Sequence, residues 1–388
     1  MTTEKLYYID SHLFDFEATV LDCRKTEKGW AAILDRTAFF PEGGGQPADT
    51  GFIASIPVTD VQEQGGEILH FCGEAPPMGA HLPCRVEREQ RLVRMQNHSG
   101  EHIVSGLAHE LYGCENVGFH MGEDCMTIDF DRELSWQQLM EVETLANRAV
   151  RENLPVLCSF PEGEALQTLE YRSKLDLTEN VRIVEIPGID RCACCAPHVE
   201  RTGEIGLIKI LDAERHRGGV RLSLCCGMLA LKDYRVKQEN IAAISQALSA
   251  KRHETAEAVS RLLTEQQKNK ERIAALSMEL ARLKAEDCPA TEGNLCVFDN
   301  VLDEVALREL VNLLMEKCDG IAAAFSGSDE TGYRYIMGSR QVDLRRCAKE
   351  LNRLIDGRGG GKPRMIQGSA AASSARIREA METNFSQF

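Results

Sequence analysis

The spacing of apolar positions changes along the chain, and these changes divide it into segments. Before residue 87, short apolar runs are separated by turn residues, a pattern typical of short β-strands. The runs cover residues 18–21, 30–34, 51–56 and 68–71. We therefore predict that the first segment forms a small β-barrel or open sheet.

From residue 87 the pattern becomes mixed. Residues 91–112 contain no proline and have helical spacing, whereas residues 126–130 alternate like a strand. Ser135 is a suitable N-cap for an amphipathic helix that reaches residue 153. Two further apolar runs, 181–186 and 205–211, predict strands. Helices that cover a sheet indicate an α+β domain.

Residues 228–288 contain neither glycine nor proline, which predicts long helices. Apolar residues repeat there at spacings of three and four, the pattern of a coiled-coil seam; they are Ile241, Ile244, Leu248, Ile273, Leu276, Leu280 and Leu283. A weaker pattern at residues 250–254 predicts the turn of a helical hairpin. The remaining residues alternate between strand and helix patterns, and we interpret the glycine run 357–363 as a loop.

These segments predict an α+β protein of four domains. They are a β-barrel-like domain with a glycine motif (1–88), an α+β domain (89–232), a helical coiled-coil hairpin (233–289) and a C-terminal α/β domain (290–388). The chain has 388 residues, 43% of them hydrophobic and 27% charged, which suits a globular protein.

The composition also bears on location and partners. No apolar run approaches the roughly 20 residues that span a bilayer, and the first residues do not resemble a signal peptide. We therefore predict a cytoplasmic protein with no membrane partner, whose fifteen cysteines are thiols, metal ligands or small core residues. The net charge of −15 means that any RNA binding would need local basic patches.

Two pairs of residues predict a zinc site. His98 and His102 are four residues apart in a helical segment, so that both imidazoles face the same side. Cys194 and His198 form a second pair, and a thiolate with imidazoles suits Zn²⁺. Cys195 is an alternative to Cys194 because it also lies close to His198 in sequence.

The first pair also allows a different interpretation. Residues 98–102 read His-Ser-Gly-Glu-His, which matches the inverted zinc-peptidase motif H-x-x-E-H. In that motif Glu101 would be the general base. This alternative predicts that Cys194 and His198 are dispensable.

Several separated segments resemble the editing half of alanyl-tRNA synthetase and its stand-alone relatives, the AlaX proteins. Residues 35–47 resemble the glycine-rich segment of that family, residues 97–102 its H-x-x-x-H motif, and residues 194–199 its second metal-binding motif. Residues 202–206 and 217–221 follow in the order found in the family. Residues 359–368 resemble the glycine signature of the DHH-associated domain at the C-terminus of the synthetase.

The resemblance implies a long-form, free-standing editing enzyme that hydrolyses the ester bond of mischarged tRNA(Ala). Seryl-tRNA(Ala) is the favoured substrate and glycyl-tRNA(Ala) a second one. The implied metal ligands are His98, His102, Cys194 and His198. The resemblance does not include the catalytic core of the synthetase and therefore implies no ATP-dependent aminoacylation.

Further site residues follow from the same comparison and from charge. We expect Glu101 and His120 to be catalytic, and we expect residues of the glycine segment and of the C-terminal domain to contact tRNA: Gly43, Gly44, Gly45, Gln46, Arg358, Lys362 and Arg364. The glycines also fit a tight turn without any ligand. The chain departs from the family where Cys195, Ala196 and Pro197 replace Gly-Gly-Thr, and Glu101 stands where many relatives have a small or neutral residue.

The sequence leaves three questions open. Zinc could activate water or could only orient the substrate. The rival functions are a zinc peptidase and a non-catalytic tRNA-binding zinc protein. The helical seams predict a packing partner, which is either a second copy of the chain, giving a homodimer through the coiled coil, or another part of the same chain.

Overall fold

A computed structural model of the protein describes residues 3–173 and 181–382. The chain forms two compact units, which divide between Ala242 and Ala243. Helices and sheets are mixed in the chain, and the predicted α+β class is confirmed. Within the described ranges, no helix has the length and apolar character needed to cross a membrane.

The first unit begins with a closed six-stranded barrel. The strands of this part are β1 (Glu4–Lys5), β2 (Asp15–Thr26), β3 (Gly29–Leu34), β4 (Arg36–Thr37), β5 (Gly51–Ile53), β6 (Ile56–Gln64), β7 (Glu67–Cys72) and β8 (His81–Val86). The barrel order is β2-β3-β7-β6-β5-β8, and β1 pairs with β4 outside it. Alternate residues of the strands point inward, and Leu34, Ile53 and Val61 are fully buried there.

Among its described residues, the rest of the first unit up to residue 226 contains three α-helices and two sheets. Its elements are α1 (Arg88–Tyr112), β9 (Asn116–Met121), β10 (Met126–Phe130), α2 (Trp136–Glu152), β11 (Leu157–Ser159), α3 (Glu164–Thr168), β12 (Ile183–Ile186), β13 (Asp190–Ala193), β14 (Ile208–His216) and β15 (Gly219–Cys226). The sheets have the orders β14-β15-β10-β9 and β11-β12-β13. Ser135 caps α2 in a capping box with Gln138, so the helix begins where the sequence indicates.

Two glycines let α1 approach its neighbours closely. A Cβ atom on Gly100 would lie 2.3 Å from Cys226 Sγ, and one on Gly106 would lie 2.4 Å from the carbonyl oxygen of Ile189. Any larger residue would push the helix away from β15 and from the turn before β13. The close approach brings the face of α1 that carries His98 and His102 next to the segment after β13.

The second unit combines a long helix with a five-stranded sheet. After α4 (Gly227–Ala247), which contains the boundary between the units, its elements are α5 (Thr255–Asp287), β16 (Leu295–Asp299), α6 (Glu304–Leu314), β17 (Ala322–Ser328), β18 (Gly332–Gly338), α7 (Leu344–Leu354), β19 (Gly357–Lys362), β20 (Met365–Ala370) and α8 (Ser374–Glu382). The sheet order is β16-β17-β18-β20-β19. β16 and β17 run parallel, and the other neighbours are antiparallel.

The interpretation of residues 357–363 as a loop was wrong. Most of this glycine run forms the edge strand β19, which pairs along its whole length with β20. Glycine has a low intrinsic strand preference, but a neighbouring strand supplies the backbone hydrogen bonds that stabilise it. A Cβ atom on Gly359 or Gly361 would lie 2.4 Å from a carbonyl oxygen of β20, so the glycines permit this pairing.

The apolar seam of α5 divides between core and surface. Leu280 packs against the core that α6 forms with the sheet. Ile273, Leu276 and Leu283 are instead 50–61% exposed. The helix pattern is interrupted between Ala247 and Thr255, where the sequence predicts a turn. The hairpin and the coiled coil themselves stay predictions.

A candidate metal centre beside a cavity

Four side chains that the sequence proposes as zinc ligands lie together in the first unit. His98 and His102 come from α1, while Cys194 and His198 come from the segment that follows β13. Their ligand atoms all lie within 4.8 Å of one another. Cys194 Sγ is 3.4 Å from His98 Nε2 and 3.3 Å from His198 Nε2. Zinc bonds of about 2.0–2.3 Å in a tetrahedron fit ligands at such separations.

Each of the three imidazoles is held in place by a hydrogen bond to its Nδ1 atom. His98 Nδ1 makes a hydrogen bond with Gln46 Oε1 (2.8 Å), His102 Nδ1 with Asp190 Oδ2 (2.8 Å), and His198 Nδ1 with Ser99 Oγ (3.1 Å). A partner on Nδ1 fixes the ring orientation and leaves Nε2 for a metal, the arrangement found around protein metal sites. The donor set and its support therefore fit zinc.

The charges of the ligands agree with this fit. Burial alone would raise the pKa of the Cys194 thiol, but the neighbouring His98 and His198 hold it well below its usual value. Burial lowers the pKa of His198 to about 3, so this imidazole is neutral. Thiolate and neutral imidazole are the forms that bind metal. Burial works against a charge on His102 as well, but hydrogen bonds to Asp190 and Cys194 raise its pKa well above the usual value. A metal cation would take the place of that proton.

The glycine motif forms a tight turn that positions Gln46. Gly44 and Gly45 have φ values of +59° and +81°, a region that favours glycine. A Cβ atom on Gly45 would lie 2.5 Å from the carbonyl oxygen of Phe119, and Met121 N donates to the Gly45 carbonyl (3.0 Å). The turn thus docks on β9 and holds Gln46 against His98. Of the motif glycines, Gly44 lines the cavity described next.

A cavity of about 260 Å³ opens beside the cluster. Glu101 lines it and is only 5% exposed. Its Oε1 accepts hydrogen bonds from Ser105 Oγ (2.6 Å) and from Asn116 Nδ2. Its Oε2 lies 3.9 Å from His102 Nε2, the atom available to a metal. A carboxylate is therefore fixed with one oxygen facing the ligand cluster.

The structure does not bring His120 to this cavity. Successive residues of a strand point to opposite faces, and in β9 it is Phe119 that lines the metal cavity. His120 is exposed and lines a different cavity with Pro47 and Arg94. We therefore remove His120 from the candidate catalytic residues.

Cys195 lies outside the ligand cluster. It is exposed, and its Sγ faces the turn formed by Gly43 and Gly44. In the second unit, Arg358, Lys362 and Arg364 are exposed along β19 and its turn into β20. These positions are open to a ligand.

Sequence reasoning missed the residues that hold the ligands in place. Ser99 immediately follows His98, and Asp190 precedes Cys194 by four residues, but neither position has a distinctive spacing. Arg172 is also part of the site, because its Nε donates to Asp190 Oδ1 (2.8 Å). These roles depend on contacts between distant segments, which the local pattern does not encode.

Comparisons with known proteins agree with this architecture. The family model of the threonyl and alanyl tRNA synthetase second additional domain matches residues 181–228, and that of the DHHA1 domain matches residues 292–387. The chain is 28% identical to the alanyl-tRNA editing protein AlaX-L of Pyrococcus horikoshii, with 96% of each chain covered. It is 34% identical to the alanine–tRNA ligase of Halobacterium salinarum over 87% of this chain.

The lengths covered differ between these relatives. The chain spans 38% of the Halobacterium ligase, so it corresponds to a part of that enzyme. A solved structure, the C-Ala domain of Aquifex aeolicus alanyl-tRNA synthetase, is matched over 25% of this chain with 17% identity and a TM-score of 0.21. The two domain matches and the similarity along nearly the full length of AlaX-L show that the chain resembles the alanyl-tRNA editing proteins.

Proposed function

We propose that this protein is a zinc-dependent hydrolase that deacylates mischarged tRNA(Ala) in the cytoplasm, with seryl-tRNA(Ala) as the main substrate and glycyl-tRNA(Ala) as a second one. One observation carries the proposal. Three imidazoles, each held through Nδ1, and a thiolate converge beside a cavity that also contains the carboxylate of Glu101.

The residues of the cavity suggest how the ester would be hydrolysed. Zinc held by His98, His102, Cys194 and His198 together would have a closed coordination shell and would orient the substrate. With one of the four ligands released, it would supply Lewis-acid polarisation of the ester or its water. Glu101 Oε2 takes the proton from the water that attacks the ester carbonyl. The same carboxylic acid then returns the proton to the ribose oxygen as the carbon–oxygen bond of the ester breaks. The products are the free amino acid and uncharged tRNA.

The size of the cavity favours small amino acids. Its volume of about 260 Å³ has to hold the aminoacyl group and the ribose to which it is attached. Serine differs from alanine by one hydroxyl group, and a site that hydrogen-bonds a hydroxyl discriminates strongly against the analogue without it. Such a site would spare correctly charged alanyl-tRNA.

Two surfaces are proposed to bind the tRNA. The turn with Gly43, Gly44 and Gly45 lies beside the cavity and would meet the acceptor end. Gln46, which the sequence also proposes as a tRNA contact, is instead buried and held against His98. Arg358, Lys362 and Arg364 are exposed on the β19–β20 hairpin of the second unit, where they would contact backbone phosphates. The chain has a net charge of −15, so these local cations would supply much of the affinity.

The main alternative, a zinc peptidase of the inverted motif, is less well supported. It needs His98, Glu101 and His102 but gives no role to Cys194 and His198, whose ligand atoms belong to the same cluster. A non-catalytic zinc protein would bind tRNA without turnover.

One assay separates these functions. The protein is incubated with labelled seryl-, glycyl- and alanyl-tRNA(Ala) and, separately, with a peptide panel, each with and without a chelator. We expect loss of the seryl ester first, survival of the alanyl ester and of the peptides, and inhibition by the chelator. Peptide cleavage without ester hydrolysis would favour the peptidase, and binding without any turnover would favour the non-catalytic protein.

We also propose a homodimer that forms through α5. Ile273, Leu276 and Leu283 are more exposed than apolar helix residues usually are, at 50–61%. Their spacing is that of a coiled-coil seam, and a second copy of the same helix would remove them from water. Sedimentation of the full chain tests this proposal.

A further inference from the structure

A second arginine lines the metal cavity, and its environment differs from that of the other arginines nearby. Arg182 is only 5% exposed. Its Nη1 donates to the carbonyl oxygens of Cys194 (3.0 Å) and Ala196 (2.8 Å), and its Nη2 donates to Cys158 Sγ (3.0 Å). The guanidinium carbon lies 5.2 Å from the centre of the Tyr8 ring. The group is thus held firmly at one wall of the cavity.

The positive charge of Arg182 has no carboxylate partner within the described part of the chain. Arg172 pairs with Asp190 in the same cavity wall, and Arg191 pairs with Glu185. A buried cation that is not neutralised by the protein is costly unless an anion joins it.

One hydrogen-bond donor of the Arg182 guanidinium also has no partner among the residues that the structure describes. Arg182 Nε is buried and makes no hydrogen bond within the described residues. Nε shares an edge of the planar guanidinium with Nη2, and two parallel N–H groups on such an edge suit the oxygens of a carboxylate or phosphate. The charge of Arg182 and the geometry of its free edge therefore both favour the binding of an oxyanion.

The chemistry of the ester substrate identifies that oxyanion. When an amino acid is esterified to the terminal ribose, its carboxylate is consumed and its amino group is positive or neutral. The nucleobase is neutral as well. The remaining anion near the ester is the phosphate on the 5′ side of the terminal nucleotide. We propose that Arg182 binds this phosphate and so positions the acceptor end beside the metal centre, an inference that rests on the proposed deacylase function.

Arg182 has a second, structural role that an experiment must separate. Its bonds to the carbonyls of Cys194 and Ala196 hold the metal-binding segment, and the Cys194 backbone N–H in turn donates to the Arg182 carbonyl (3.0 Å). Loss of the side chain would therefore disturb the zinc ligand as well. A role in phosphate binding is visible only as a difference between substrates with and without the phosphate.

The test uses two small esters with the full-length, zinc-loaded protein. One is the seryl ester of adenosine on its 2′ or 3′ oxygen, and the other is the same ester of adenosine 5′-phosphate. We expect kcat/KM of the wild-type protein to be roughly tenfold to a hundredfold higher for the phosphorylated ester, the range of a hydrogen bond to a charged group. Arg182→Gln should abolish the preference, and Arg182→Lys should keep part of it because it keeps the charge. Arg191→Gln is the control, since Arg191 lines a different cavity.

Each outcome decides the question. If the wild-type protein hydrolyses both esters equally well, the inference is wrong while the proposed function stands. If Arg182→Gln and Arg182→Lys both retain zinc and the full phosphate preference, another residue binds the phosphate. If Arg182→Gln loses zinc, the ratio of kcat/KM between the phosphorylated and the unphosphorylated ester is compared for the wild-type protein and Arg182→Lys. This comparison still decides whether Arg182 binds the phosphate. If neither ester nor seryl-tRNA(Ala) is hydrolysed, the proposed function itself fails.

Discussion

Replacement of Glu101 by glutamine tests the proposed chemistry with little change in structure. Glu101 Oε1 accepts hydrogen bonds from Ser105 and Asn116, and a glutamine oxygen can accept the same two. If the glutamine amide were flipped so that its NH₂ group faced Ser105 and Asn116, both hydrogen bonds would be lost, at a cost of about 1 kcal/mol each. The NH₂ group is therefore held where Oε2 was, 3.9 Å from His102 Nε2. An amide in that position cannot take a proton from water.

The size of the effect follows from this loss of a base. General-base catalysis typically contributes about 10²–10⁴-fold, so we expect kcat to fall by that factor, or ~3–5 kcal/mol in the activation free energy. KM should change little because the residues that line the cavity stay in place. Zinc content should stay the same, since Glu101 is not a proposed ligand.

The assay is single-turnover and steady-state deacylation of seryl-tRNA(Ala), together with metal analysis of the same preparation. Glu115→Gln is the matched control. Glu115 lines the same cavity and undergoes the same chemical change, but it is exposed and pairs with His109 Nδ1 (3.0 Å) instead of facing the ligand cluster. Its kcat should stay close to that of the wild-type protein.

Two results would refute this reasoning. If Glu101→Gln keeps kcat within a few-fold of wild type while it retains zinc, another group activates the water. If both glutamine variants lose activity equally, the loss reflects the charge of the cavity and not a base at one position.

Four further outcomes are expected. Metal analysis should find about one zinc per chain, lost in His98→Ala and Cys194→Ala but kept in Cys195→Ala; zinc kept only in the Cys194 variant would identify Cys195 as the ligand. Asp190→Asn should weaken zinc binding about 10- to 100-fold in a chelator competition, because it weakens the hold on His102, and unchanged affinity would remove Asp190 from the site. Ile273→Asp with Leu276→Asp should convert a dimer into a monomer in sedimentation, and a wild-type monomer would exclude the proposed interface. Arg358→Gln, Lys362→Gln and Arg364→Gln together should raise KM for seryl-tRNA(Ala) with kcat kept and should reduce the salt slope of binding by roughly one per lost contact; a collapse of kcat would mean that the second unit takes part in catalysis.

The sequence alone identified elements whose signals are local. Ser135 followed by Gln138 predicts the start of α2, and the alternation at residues 126–130 matches β10. A long stretch without glycine or proline predicts α4 and α5, and the weak pattern near residue 250 matches the break between them. Capping, periodicity and chain breakers act over a few residues, so one segment is enough to read them.

Positions that depend on which face of an element is buried were harder to predict. Phe119 and His120 are neighbours in β9, and only the docking of β9 onto the glycine turn decides which of them meets the metal cavity. The same applies to residues 357–363, where pairing with β20 turns an apparent loop into a strand. A one-residue shift of register would exchange the two faces, and the local sequence does not fix it.

For the site itself, the spacing of His98 and His102 placed two imidazoles on one helix face, and the family motifs pointed to Cys194 and His198. The tertiary structure decided what holds them: Gln46 from the glycine turn, Ser99 from α1 and Asp190 from β13. These partners are up to 99 residues from the imidazole that they orient. Their roles arise because the close approach of α1 at Gly100 and Gly106 brings three separate segments together, and packing of that kind is a property of the folded chain.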